Sequence, residues 1–303
     1  MSKRIKGTIQ LTLTSLIWGI AFVAQSVGMD YVGPWTFNCV RAVLAAVFLI
    51  PVAIITTKLS EKNNDTDTSD AAKKDRFRYT VIAGILSGLC LSSASLFQQY
   101  GIIETSVGKA GFITALYIII VPFLSIFLKK KIGLNQWISA LIAVAGFYIM
   151  SISGLEKINH GDLLLLVCAF LFSAQILVID HFVDRINPVA MSCVQFFVAA
   201  IVCSIGMFAL EAPTFDSLMQ AKIPILYAGI MSSGVAYTLQ IIGQKNLPPT
   251  PASLLMSLES VFSALAGFVI LHQLLSAKEI LGCVLVFAGV IISQLPAGKK
   301  RIS

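Results

Sequence analysis

From one end of this 303-residue chain to the other, long apolar runs alternate with short polar connections. Ten such runs are read, at approximately 7–27, 34–57, 79–99, 105–128, 134–153, 161–182, 189–210, 222–242, 250–271 and 278–296. Each is close to the roughly 20 apolar residues that a helix needs to cross hydrocarbon. Helix is the form expected, because lipid-exposed backbone must satisfy its own hydrogen bonds and a barrel strand would alternate in polarity. Pro34, Pro188 and Pro251 fall at run starts, where a first-turn proline forfeits no hydrogen bond. Composition agrees: 57% hydrophobic and 12% charged is too apolar for a soluble domain, where about a quarter of residues are charged. Disulfide scaffolds, disordered tails and nucleic-acid binders are disfavoured on the same ground. The six cysteines, Cys39, Cys90, Cys168, Cys193, Cys203 and Cys283, sit inside apolar runs with no CxxC spacing, and read as packing residues.

The basic residues carry a topology. With the N-terminus inside, seventeen lysines and arginines fall on inner segments and four (Lys109, Lys157, Lys222, Lys278) on outer ends, with Arg41 left within a run. The net charge of +7 is then a record of orientation, and both termini are expected in the cytoplasm. The N-terminal basic residues before the first run lack a small-residue cleavage site, so that run reads as a retained helix. Residues 58–78 are expected to form a cytoplasmic loop; their centre, Ser60–Asp75, mixes acids, lysines and small polar residues and reads as mobile.

The halves resemble each other. At a shift of about 154, Pro34 meets Pro188, Cys39 meets Cys193, Arg41 meets Gln195 and Trp18 meets Phe172. Gln98-Gln99-Tyr100 tracks Gln240-Ile241-Ile242, and Ala145-Gly146 tracks Ala288-Gly289. Five spans per half is an odd number, so the repeats, 7–153 and 161–296, would lie in opposite topology, an arrangement found in transporters with a solute site near the midplane.

Several stretches resemble the EamA family of the drug/metabolite transporter superfamily: Trp18-Gly19, Arg41, Phe97-Gln98-Gln99-Tyr100-Gly101, Thr105-Ser106, Gly108–Thr114 with Tyr117 and Val121-Pro122, Gly161-Asp162, and Ser257-Leu258-Glu259. The resemblance covers nearly the whole chain. It implies an all-α membrane protein of ten transmembrane helices in two inverted five-helix repeats. Its helices 1, 3, 4, 6, 8 and 9 would surround a central cavity, with 5 and 10 peripheral. It also implies export of small metabolites. Ser260 departs from relatives that carry proline after the glutamate, which implies a less kinked ninth helix.

Charged groups at membrane depth are functional candidates because burying them is costly. Glu259 lies about 14 Å into its run at 1.5 Å per residue, close to the midplane, and reads as a proton carrier, a group for a substrate amine, or a hydrogen-bonded structural acid. Arg41 lies about 10 Å down; it either holds a substrate carboxylate, balances Glu259, or serves as scaffold. Lys109, near Glu104, reads as a surface-reaching lysine or a gate. Trp18, Phe22 and Gln25 share one helical face at i, i+4 and i+7, suited either to stacking a flat solute or to packing. Gly84, Gly88, Ser92, Ser95 and Gln99 form a small-residue stripe, and Gly229, Ser233, Ala236 and Gln240 another. Gln98 and Gln240 exceed what packing needs and suit a hydrated cavity. Tyr117 falls near the repeat mate of Glu259, and Phe172 matches Trp18. Gln175 and Tyr237 complete the cavity candidates with Ser95. His160, His181 and His272 read as interfacial, and Asp162 as a first-turn anion favoured by the helix dipole.

No HExxH, GxSxG, GxGxxG or phosphate loop is present, and no cofactor or metal is implied. The leading expectation is a non-enzymatic secondary transporter of the plasma membrane, exporting amino acids or amphipathic compounds. Uptake of a vitamin or nucleotide-like solute, and a non-transporting receptor or assembly subunit, are the alternatives. The partners are a small-molecule substrate, the lipid bilayer and, for coupling, protons, with no nucleic acid; a homodimer stays open.

Overall fold

A computed structural model describes residues 1–63, 70–130, 132–151 and 159–294, and among them there is helix and no strand. The long helices are α1 (Lys3–Gly28), α2 (Pro34–Asn63), α3 (Asp70–Glu104), α6 (Leu134–Ser151), α7 (His160–Phe182), α8 (Pro188–Leu210) and α14 (Ala277–Gln294). Their starts follow from local chemistry. The Asn187 side chain accepts from the backbone N–H groups of Val189 and Ala190 at 3.1 and 3.2 Å, with Pro188 opening α8. Asn159 and Asp162 cap α7 reciprocally.

Eight helical stretches are long and apolar enough to cross a membrane: Lys3–Gly28, Pro34–Leu59, Ala71–Glu104, Val107–Phe127, His160–Phe182, Pro188–Leu210, Lys222–Gln244 and Pro249–Leu271. This is a multi-pass membrane protein. The run expected at 134–153 contains a shorter apolar helix, Leu134–Ile149, and that at 278–296 corresponds to α14. These two pack on one another through glycines: a Cβ at Gly146 would meet the Gly282 carbonyl at 2.7 Å, and one at Gly289 the Ser139 carbonyl at 2.8 Å. The polar stretch Ser60–Asp75 is helical at both flanks, since α2 runs on to Asn63 and α3 begins at Asp70; its centre, 64–69, lies outside the described residues. At 35 residues, α3 is about 52 Å long and outreaches the roughly 30 Å hydrocarbon core. Its charged first turns are exposed, so the helix continues into water where a loop is expected.

Three spans are interrupted. The fourth consists of α4 (Val107–Thr114) and α5 (Tyr117–Phe127), joined by a tightened turn in which Leu116 N bonds Ile113 O at 3.2 Å and Ile118 N bonds Ala115 O at 3.0 Å. The ninth consists of α12 (Pro249–Met256) and α13 (Leu258–Leu271), parted at Ser257. Here Ser253, Ser257, Ser260 and Ser263 each donate a hydroxyl to a carbonyl three residues earlier, at 2.9, 2.9, 2.7 and 2.8 Å, the kind of back-bonding that bends helices. Absence of proline at Ser260 therefore does not leave this span continuous. Both leading halves have eight residues, and Tyr117 and Glu259 stand at matching places just beyond each break. The eighth span follows the short helix α9 (Phe215–Gln220) and comprises α10 (Lys222–Leu226), a π-helix (Tyr227–Ala236) and α11 (Tyr237–Gln244).

Candidate functional site

The interruptions and the polar faces converge on one internal cavity. From α1 come Trp18, Phe22 and Gln25, on the shared face that their spacing requires. Arg41 enters from α2, Gln98 from α3, Tyr117 from the start of α5, and Phe172 and Gln175 from α7. Tyr237 and Gln240 come from α11 and Glu259 from α13. Ten of the eleven residues singled out as cavity candidates thus face one space, together with Arg41. Ser95 is buried but outside the lining; its carbonyl accepts from Asn38 Nδ2 at 3.4 Å. Among the described residues, α6 and α14 contribute none of the lining.

Much of the polar lining is internally satisfied. Gln240 Nε2 donates to Gln175 Oε1 at 3.1 Å, and Gln175 Nε2 returns a longer bond of 3.4 Å. Gln98 Nε2 donates to Thr114 Oγ1 at 3.4 Å. The Arg41 side chain, in a residue only 3% exposed, donates from Nε to Ser233 Oγ at 3.2 Å and from Nη1 to Gln25 Oε1 at 3.1 Å. Gln25 is held in turn, its carbonyl accepting from Gln99 Nε2 at 3.0 Å. Trp18 and Tyr237 meet at a 54° tilt with centroids 4.6 Å apart, and Phe196 meets Tyr237 edge-on at 5.4 Å.

Three polar atoms of the lining are left over. Glu259 Oε1, Tyr117 Oη and Trp18 Nε1 are buried and have no partner at direct hydrogen-bond distance among the described residues, although the Tyr117 hydroxyl and the Glu259 carboxyl face each other closely enough for a long hydrogen bond. A buried donor or acceptor without a partner costs about 1–3 kcal/mol, so an acceptor, a hydroxyl and an N–H converging on one space form a site for water or a polar solute. Arg41 forms no ion pair among the described residues, with Glu259 or any other acid. The cavity therefore presents a cation and a carboxyl that do not neutralise each other. Its volume is about 30 Å³, room for one or two waters.

Lys109 is away from this space. It pairs with Asp162 at 2.8 Å, tying α4 to α7, while Glu104 instead accepts from Gly161 N at 2.9 Å. At the far end of the same two spans, Lys130 pairs with Asp180. Asp162 also completes the α7 cap, so its first-turn position serves both purposes. Ser232 lines the cavity too and was missed by sequence reasoning, as was the role of Ser233 as Arg41's acceptor. Both lie in the π-helix, whose wider turn re-aims side chains that α-helical spacing would assign to a packing stripe. Among the described residues no three His, Cys, Asp or Glu side chains gather to hold a metal.

Comparison with known proteins places this architecture. The profile of the EamA-like transporter family matches residues 5–152 and 159–295. A protein of Archaeoglobus fulgidus described as an uncharacterized transporter is 30% identical over 294 residues, covering 97% of this chain and 87% of its own. The uncharacterized transporter YoaV of Bacillus subtilis is 23% identical over the whole of both chains. A solved crystal structure superposes with a TM-score of 0.77 at 16% identity, covering 97% of this chain and 98% of the other, which is a likeness of fold. A membrane-embedded bundle, discontinuous helices and a matching family profile over nearly its entire length agree: the chain belongs to the EamA-like transporter family.

Proposed function

We propose that this membrane transporter exports small metabolites carrying both a cationic and an anionic group, amino acids foremost, by alternating access. The observation that carries the reading is that Arg41 and Glu259 line one cavity, both nearly inaccessible to solvent, without pairing with each other. A guanidinium already held by Gln25 and Ser233 is oriented for a carboxylate. The free Oε1 of Glu259 suits an ammonium or, when that oxygen is protonated, makes Glu259 a proton carrier. Trp18, Phe22, Phe172 and Tyr237 supply apolar surface for the rest of the solute, and the paired amides of Gln175 and Gln240 an adaptable polar wall.

Ten crossings in two inverted halves fit this reading. The matching breaks before Tyr117 and Glu259 support it, since discontinuous helices at the midplane are where transporters of this build bind solutes. A cavity of about 30 Å³ is too small for a metabolite, so transport requires the halves to move apart at one end and then the other. The Lys109–Asp162 pair, joining the halves at one end of the α4/α5–α7 seam, is then a gate, with Lys130–Asp180 its counterpart at the opposite end. Similar inward and outward states leave direction to the gradients.

The test is efflux of labelled amino acids from proteoliposomes with and without a pH gradient, comparing wild type with Glu259→Gln. The amide keeps shape and hydrogen bonding but carries no titratable proton. Loss of gradient-driven efflux with solute exchange retained assigns proton carriage to Glu259, and loss of both assigns it to solute binding. Unchanged behaviour in both assays refutes either role, and a wild type that moves no amino acid refutes the substrate class.

A further inference from the structure

We propose that the recess between α1, α10 and α13 is a binding site for one acyl chain of a bilayer phospholipid. The recess has a volume of about 400 Å³ and is walled by Ile20, Val23 and Val27 of α1, Ile223 and Pro224 of α10, and Ile270 of α13. On α1, Ile20, Val23, Ala24 and Val27 stand at i, i+3, i+4 and i+7, one helical face, and all four border it. The medium outside these helices is hydrocarbon, because α1, the ninth span that α13 completes, and the eighth span are each long and apolar enough to cross a membrane. Water has almost nothing to bond there, so a lipid tail is the occupant that the lining accepts.

Length and polarity also fit a single chain lying along the membrane normal. Ile20 to Val27 covers about 10 Å at 1.5 Å per residue, most of the depth of one leaflet, about half of a 30 Å core. The polar groups of the lining are ordered as in an amphiphile. Tyr31 and Gln220 border the recess beyond Val27, at the ends of the first span and of α9. Exposed Lys222 opens α10 two residues further on, which places a cation where a phosphate would lie. Deeper in, Tyr227 borders the recess and donates its hydroxyl to the Ile17 carbonyl at 3.1 Å, joining the π-helix to α1. The opposite face of α1 presents Phe22 and Gln25 to the solute cavity. A chain in the recess therefore braces, from the lipid side, the helix that carries part of that cavity.

The experiment uses the full chain in liposomes of phosphatidylcholine doped with an analogue bearing a photoactivatable diazirine on one acyl chain, with adducts mapped by peptide mass spectrometry. Adducts are expected to concentrate several-fold on 20–27 and 223–227 relative to the lipid-facing surface of α8 at Phe197, Ile201, Ile205 and Phe208, which is broadly exposed. Ala24→Trp, which fills the recess, is expected to lower labelling there several-fold and leave α8 unchanged. Val27→Phe does the same from the other end should Ala24→Trp fail to fold. Equal labelling of both surfaces, or labelling that survives both filling variants, overturns the proposal. So does photo-cross-linking of these peptides to a second copy of the chain, which would make the recess a dimer interface.

Discussion

Arg41→Met separates a solute-binding arginine from a scaffold arginine. The guanidinium makes charge-assisted bonds to Ser233 and Gln25, each contributing roughly 1.5–3 kcal/mol, and also faces the Tyr237 hydroxyl. Against this stands the cost of holding a cation that forms no ion pair in a buried site, several kcal/mol even after relaxation. Methionine fits the volume, removes that penalty, and leaves Gln25 Oε1 and Ser233 Oγ to rotate toward the cavity. The two contributions nearly cancel, so the thermal midpoint in detergent should move by no more than about 4 °C, at about 2 °C per kcal/mol for a chain this long. Solute binding behaves differently. Truncating one member of a buried charge pair costs about 2–5 kcal/mol, so affinity for a transported amino acid should fall at least roughly thirty-fold. Ligand-induced thermal shifts and proteoliposome efflux give the two readouts. A variant that loses 10 °C or more of stability while its surviving fraction binds normally would refute the argument and make Arg41 scaffold.

Trp18→Ala should weaken solute affinity about ten-fold through loss of a stacking face, worth about 1 kcal/mol or more beyond area burial, and wild-type affinity would place the solute elsewhere. Gln240→Ala, which strips Gln175 of its buried partner, should also destabilise by about 1–3 kcal/mol; the double variant Gln175→Leu with Gln240→Leu should recover most of that in thermal denaturation. Gly19→Val should destabilise strongly, since even a Cβ at that position would come within 2.3 Å of Phe262 Cβ and 2.8 Å of its backbone carbon; an overpacked contact costs about 1–3 kcal/mol, and a folded variant with wild-type stability would mean the α1–α13 contact is loose. Reporters fused to either terminus should both read cytoplasmic, and opposite readings would mean an odd number of crossings.

Most of the helices could be read from the chain, because in hydrocarbon a run of about 20 apolar residues has one backbone solution and the polar interruptions mark its ends. Side-chain faces were readable for the same reason: Trp18, Phe22 and Gln25 must share a face once α1 is a helix. The register of the eighth span is not readable, since a π-helix departs from the α-helical period without any residue that announces it, so Ser232 carries no signal and Ser233 reads only as a member of a small-residue stripe. Nor did proline mark the interruption of the ninth span, which comes from a series of serines bonding back to carbonyls within the same helix.

Pairing belongs to tertiary structure alone. Lys109 is five residues from Glu104 and yet meets Asp162, more than fifty residues away, because α4 and α7 lie side by side. Arg41 and Glu259 line one cavity but do not pair; the guanidinium meets Gln25 and Ser233 instead. Hydropathy and helical period are local properties, so the chain by itself determines which segments enter the membrane and which side of each is polar. Which polar sides meet, and how little room remains between them, depends on how helices distant in sequence dock against one another, and no local pattern records that.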